Sequence, residues 1–197
     1  ADEPLYAWAS FPDPHHPMTP PGEWFDKYDP ADMELPASIS DPLEHAPAYL
    51  RATQQRPPTE QRIWVATCGA TDHELMRECI AATYGMIEFI DDGVGRMIAA
   101  IERLGQLDNT IIVFTSDHGD MMGDHGLMLK GFLPFTGTQH VSMVVADPRR
   151  VPGRSTSLSS SIDLGPTLMD LCQVPPHDGV QGRSLVPVMD DPAESVR

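Results

Sequence analysis

The sequence predicts an α/β fold, and three observations carry that prediction. An amphipathic pattern from about Asp72 to Leu104 reads as a long helix. A polar turn at Asp108-Asn109 leads from it into the segment 110–115, whose apolar run Ile111-Ile112-Val113-Phe114 reads as a buried strand. A second apolar run, Val141 to Ala146, reads as another strand, closed by Asp147-Pro148. Helices that pass through short loops into apolar strands are the building pattern of α/β layers.

Composition bounds the rest. The 197 residues suffice for one domain that buries roughly 70% of the surface its unfolded chain exposes. Asp and Glu number 29 against 13 Lys and Arg, so a basic face for nucleic acid is not expected. No apolar run approaches the ~20 residues of a membrane helix. Ala1-Asp2-Glu3-Pro4 is acidic and has no apolar run of the kind a secretory leader needs. The chain starts without Met and reads as mature, trimmed or part of something longer. The odd set Cys68, Cys79 and Cys172 fits neither a zinc site nor a disulfide framework and reads as idle thiols.

In chain order, residues 1–71 form a proline-rich region in which regular elements should be short. Trp8, Phe11, Trp24, Phe25 and Tyr28 lie among the prolines, so an ordered loop region packed on a domain is expected rather than a disordered linker. In the helix, Ile80, Ile87, Val94 and Ile101 form one apolar row and Met76, Ile90, Met97 and Leu104 a second. Gly93 and Gly95 open the prospect of a break, and Gly105 suits the C-terminal cap. Ser155 to Ser161 reads as a polar loop. Asp163 is expected to cap a helix running to about Gln173, with Pro166 in its first turn and Pro175-Pro176 beyond its end. We therefore read one partial domain: the loop region 1–71, a helix-strand core at 72–189 and a short tail at 190–197.

Chemistry concentrates in Ser116 to Lys130. After the strand come Asp117 and His118, then glycines, Asp120, Asp124, His125 and finally Lys130. A carboxylate and an imidazole at the carboxyl end of a strand make half a metal shell; the alternative is an ordinary polar loop. Gly119 permits the backbone turn that both side chains need to meet one cation. Lys130 suits a tetrahedral anion, or is a solvated surface lysine. Asp120, Asp124 and His125 are further ligands, partners of ligands, or loop caps. Asp91-Asp92 resembles a carboxylate dyad, but neighbours on a helix diverge by ~100°, and Asp92 pairs more naturally with Arg96. Pro14-His15-His16-Pro17 presents two histidines rigidly, either as exposed loop residues or as a proton donor to a leaving group.

Together these segments resemble the sulfatases of the alkaline-phosphatase-like superfamily. The resemblance rests on Ser116-Asp117-His118-Gly119, Gly123-Asp124-His125-Gly126-Leu127 and Lys130. It extends to Phe11 through Pro17, which resembles the Pro-His-x-Pro segment, and to Tyr84 through Asp91. Asp163-Leu164-Gly165-Pro166-Thr167-Leu168 and Gln181-Gly182-Arg183-Ser184-Leu185 resemble the closing segment. The resemblance implies part of a sandwich with a central mixed, mainly parallel sheet flanked by helices. It implies Asp117 and His118 as metal ligands, for calcium first, with manganese or magnesium as alternatives. Lys130 would hold the sulfate oxygens and His15 would face the leaving group, in preference to His16. The implied reaction is hydrolysis of a small-molecule or saccharide sulfate ester by a hydrated formylglycine.

Three departures qualify the match. No Cys or Ser begins the Cys/Ser-x-Pro/Ala-x-Arg motif that yields formylglycine, so the nucleophile is expected upstream of this chain. The early metal-binding Asp pair is absent too. His140-Val141-Ser142 stands where relatives usually show Arg-Val-Pro. A phosphonate monoester or phosphodiester hydrolase on the same fold is the alternative activity, and a non-catalytic remnant is the alternative class.

Overall fold

Asp72 starts the longest element of the molecule as the sequence predicts. Its side chain accepts hydrogen bonds from the backbone N–H groups of Glu74 and Leu75 at 3.1 and 3.0 Å, satisfying two donors that a helix start leaves unpaired. The computed structural model describes residues 3–57, 67–131 and 133–197. Ala1, Asp2 and residues 58–66 of the proline-rich region lie outside the described residues. The helices are α1 (Ala48–Gln54), α2 (His73–Arg103), α3 (Thr136–Gln139), α4 (Leu164–Leu171) and α5 (Val186–Asp190). The strands are β1 (Thr67–Gly69), β2 (Ile112–Thr115), β3 (Leu127–Leu129) and β4 (Met143–Ala146). The chain divides into two packed units, Ala1–Leu104 with His118–Val141, and Gly105–Asp117 with Ser142–Arg197.

In the first unit, α2 runs unbroken for 31 residues through Gly93 and Gly95 and stops at Gly105, whose φ of +65° suits the left-handed cap. The two-row apolar stripe is buried only in part. Met76, Ile80, Ala81 and Met86 are buried, whereas Ile87 is 48%, Met97 38% and Leu104 75% exposed. Periodicity marks a face that can be buried; only a packed neighbour buries it, and here that neighbour covers the N-terminal half. Met76, Ile80 and Ala81 pack with Met33, Cys68, Ala70, Met128 and Leu129.

The proline-rich region keeps its elements short, as expected, and lies along α2. Gly85 admits the carbonyl of Trp24 so closely that a Cβ there would stand 2.2 Å from its oxygen. Glu88 takes hydrogen bonds from the Lys27 ammonium and from the Tyr28 hydroxyl, the latter at 2.9 Å. The Lys27 ammonium also stands 4.6 Å from the centre of the Trp24 ring. On the exposed side of α2, Arg96 reaches Asp92 at 3.8 Å, the structural pairing the sequence favours.

The mainly parallel sheet is not what the described strands form. β1 pairs antiparallel with β3, Thr67 opposite Leu129, Cys68 opposite Met128 and Gly69 opposite Leu127. In the second unit β2 pairs antiparallel with β4, from Ile112 opposite Ala146 to Thr115 opposite Met143. An apolar run reports a tendency to be buried, not the direction of its neighbour. Nor is β2 fully buried: Phe114 is 44% exposed and Val144, opposite it, 56%.

The second unit is held by two buried carboxylates. Asp147, just after β4, accepts parallel bonds from the Arg149 guanidinium, 2.8 Å each, and a third from Arg150 at 2.7 Å. The Arg149 side chain is the main reason its carboxyl sits well below the usual range. Asp163 does not cap α4 with its side chain. It ends the preceding turn Ser161–Asp163, where its carboxylate accepts the Ser160 N–H at 2.8 Å in a capping box with Ser160. The same carboxylate accepts the Arg183 N–H at 2.9 Å and binds the Arg197 guanidinium. Thr167 completes the hub, donating to the Asp163 carbonyl at 2.6 Å and accepting the Leu185 N–H at 2.9 Å. α4 ends at Leu171 rather than near Gln173. Gln173 turns left-handed at φ +57°, and the Val174 N–H closes on the Met169 carbonyl at 2.8 Å.

Candidate functional site

The Ser116–Lys130 segment is polar in composition yet anchored by its apolar members. Met121, Leu127, Met128 and Leu129 are all buried, the last three as β3. Each such side chain contributes ~1.5–3 kcal/mol of burial. Backbone bonds from Met121 N–H to Leu129 O at 2.9 Å and from Gly123 N–H to Leu127 O at 2.8 Å fold the loop back on itself. That fold sets the positions of His118 at one end and Lys130 at the other.

Asp117 closes the second unit's portion of the chain just beyond β2, where Thr115 Oγ1 donates to the Ser142 carbonyl at 3.0 Å. His118 comes directly after it and begins the loop of the first unit. Its Nδ1 lies 2.9 Å from the Gly119 carbonyl. A carbonyl only accepts, so Nδ1 is the donor in this bond, which holds the ring against the backbone of the next residue. Gly119 serves close packing rather than a left-handed turn. Its N–H bonds the Thr138 carbonyl at 2.8 Å, and a Cβ would stand 2.0 Å from the Gly137 oxygen. Among the described residues no group of three or more His, Cys, Asp or Glu converges on one point.

The three additional candidates act as loop fasteners. Asp120 accepts the Met122 N–H at 3.0 Å. Asp124 binds the Ser38 hydroxyl, and His125 Nδ1 meets Asp41 Oδ2 at 2.7 Å. Spacing along the chain carries no signal that residues 38–54 would hold residues 124 and 125, so sequence reasoning missed Ser38, Asp41 and Gln54.

The histidine segment comes to the lysine end of the loop. His15 Nδ1 donates to the His16 carbonyl at 2.7 Å, and the two rings stack with centroids 4.1 Å apart. Burial holds the His16 pKa down, the charges of His15 and Lys130 press it lower, and Asp120 opposes them. His15, His16, Asp120 and Lys130 therefore share one electrostatic neighbourhood in the first unit. Burial pushes the Cys68 and Cys79 thiols up, with Asp120 adding to the effect at both. Neither is a ready nucleophile, in keeping with the idle-thiol reading.

Comparison with known proteins identifies the family. The sulfatase family model matches residues 1–174. An arylsulfatase from Clostridium perfringens is 33% identical over 196 residues, covering 96% of this chain and 38% of that protein. A choline-sulfatase from Rhizobium meliloti is 31% identical over 202 residues, covering 96% and 36%. The phosphonate monoester hydrolase of Agrobacterium radiobacter superposes with a TM-score of 0.80 at 29% identity, over 98% of this chain and 40% of that one. The chain thus spans well under half the length of each of these relatives. Its loop after β2, its histidine segment and its closing turns run in one order along a sequence that the family model matches almost throughout, and the chain belongs to the sulfatase family.

Proposed function

We propose that this chain supplies the anion-holding half of a hydrolase centre that cleaves sulfuric esters. The observation that carries the proposal is that Lys130 and Asp120, far along the sequence, exert their charges on His16, whose ring stacks on His15. Lys130 places a compact positive charge against the oxygens of a tetrahedral anion, where it stabilises charge that grows in the transition state. His15, held through Nδ1 by the His16 carbonyl, presents Nε2 to the leaving oxygen and hands it a proton. Burial, with the charges of His15 and Lys130, holds the His16 pKa below the ordinary histidine value.

Asp117 and His118 would hold a divalent cation, calcium first, with manganese or magnesium as alternatives. The Asp117 carboxylate at a strand end fits such a cation in kind, whereas the imidazole, its Nδ1 held by a carbonyl, is a less usual donor to a hard cation. Such a cation would neutralise charge on the bound anion. Two donors leave most of a calcium shell to other residues. The nucleophile also comes from outside these residues, because no Cys or Ser here begins the formylglycine motif. On this reading the isolated 197-residue chain has no turnover, and hydrolysis by it at the rate of the full-length protein would refute the assignment.

The substrate class is a small-molecule or saccharide sulfate ester, in line with the arylsulfatase and choline-sulfatase relatives. Phosphonate monoester hydrolysis is the second reading, favoured by the structural match to the Agrobacterium enzyme. Paired kinetics of the full-length protein on 4-nitrophenyl sulfate and on phenyl phenylphosphonate separate the two. A kcat/KM higher for the sulfate supports the first reading, a higher value for the phosphonate replaces it with the second, and turnover of neither leaves a non-catalytic protein.

A further inference from the structure

His125 is held on every side, yet the chemistry above does not use it. Its Nδ1 meets Asp41 Oδ2 at 2.7 Å, its Nε2 stands 3.9 Å from Asp124 Oδ1, and its ring lies against Phe135 with centroids 4.7 Å apart. The backbone is gripped as well. Gln54 Nε2 donates to both the His125 and Asp41 carbonyls at 2.7 Å, and the His125 N–H donates to Ser38 Oγ at 3.2 Å. The residue sits at φ +51°, a conformation that His and Asn enter more readily than most side chains.

The chain just beyond His125 gives the grip its purpose. The Gly126 carbonyl accepts the Ala70 N–H at 2.9 Å, and Leu127, Met128 and Leu129 run buried in register with Gly69, Cys68 and Thr67. Leu129 then turns at φ +64°, and the next residue is Lys130. The strand that presents the lysine is thus locked at its start by one side-chain pair and along its length by β1. We propose that Asp41 and His125 are positioning residues for Lys130, setting where its ammonium stands relative to a bound tetrahedral anion. The inference rests on the reading of Lys130 as the anion-holding residue.

The test is sulfate binding by isothermal titration in the full-length protein. His125→Ala weakens inorganic sulfate about tenfold while the protein stays folded, since small displacements of a charged group cost affinity steeply. His125→Asn recovers affinity to within about threefold, because an asparagine amide donates to Asp41 and accepts the same backbone conformation. The double variant His125→Ala/Lys130→Ala binds no more weakly than Lys130→Ala, because both losses act through one group. Should His125→Ala fail to fold, Asp41→Asn carries the same comparison. Wild-type affinity in the clasp variants, or losses that add to that of Lys130→Ala, overturns the inference alone. Wild-type affinity in Lys130→Ala overturns the anion-site reading and the inference with it.

Discussion

His118 donates its Nδ1 proton to the carbonyl of Gly119 at 2.9 Å, a bond that ties the imidazole to the backbone of the next residue. Gly119 itself packs its Cα onto the Gly137 carbonyl, where any Cβ would collide. The carbonyl that holds the imidazole thus belongs to a residue with no room for a side chain.

The metal assignment predicts joint loss. Asp117→Ala and His118→Ala in the full-length protein each remove bound metal, measured by elemental analysis, and lower kcat/KM by about a thousandfold or more. Full metal occupancy in either variant would remove that residue from the ligand set. Gly119→Ala lowers occupancy as well, through the displaced ring.

Lys130→Ala in the full-length protein raises KM and lowers kcat together, by about a hundredfold in kcat/KM, with the melting temperature little changed. The same substitution takes away one of the charges that hold His16 down. The His16 titration followed by NMR therefore moves up toward the ordinary histidine value, though not fully, because burial is the larger cause. Unchanged kinetics and an unmoved His16 titration would place the lysine outside the site.

Asp163→Ala strips partners from the Ser160 and Arg183 N–H groups and from the Arg197 guanidinium at once. We expect a loss of about 3 kcal/mol in urea unfolding. Thr167→Val, which leaves the Leu185 N–H without its acceptor, costs about 1–3 kcal/mol. A change below experimental error in both would mean that the closing turns are held by packing alone.

Two buried carboxylates of the second unit contribute to acid stability. Burial pushes the Asp163 carboxyl upward, but the Arg183 N–H, the Arg197 guanidinium and the Ser160 N–H outweigh it, so its pKa ends below the ordinary value. Asp147 is depressed more strongly, by Arg149 above all. For a carboxylate whose folded pKa lies below its unfolded value, the stabilisation is complete above the unfolded pKa of about 3.9 and is lost as pH falls toward the folded one. Unfolding free energy measured against pH should therefore be flat in these two contributions above pH ~5 and fall below pH ~4. Asp147→Asn, already less stable at neutral pH, should show a shallower acid limb; an equally steep one would assign the acid loss to other groups.

The bounds of α2 were legible from one end to the other because they are local. Asp72 bonds N–H groups two and three residues on, and Gly105 adopts a conformation that other residues resist. The positions of β2 and β4 were legible within about two residues for the same reason, since an apolar run and its polar ends lie side by side in the chain. The order of the Pro-His-x-Pro, Asp-His-Gly and closing segments was enough to indicate the family, which the comparisons then showed.

Only the tertiary structure decided which distant pieces meet. It brought His16 to Lys130 and Asp120, bound Asp124 and His125 to Ser38 and Asp41, buried one half of the α2 stripe and ran both strand pairs antiparallel. Caps, turns and periodicity act over about one turn of chain and can be read from neighbouring residues. Contacts between remote segments depend on the path that burial of the whole apolar set imposes, and no spacing in the sequence encodes that path.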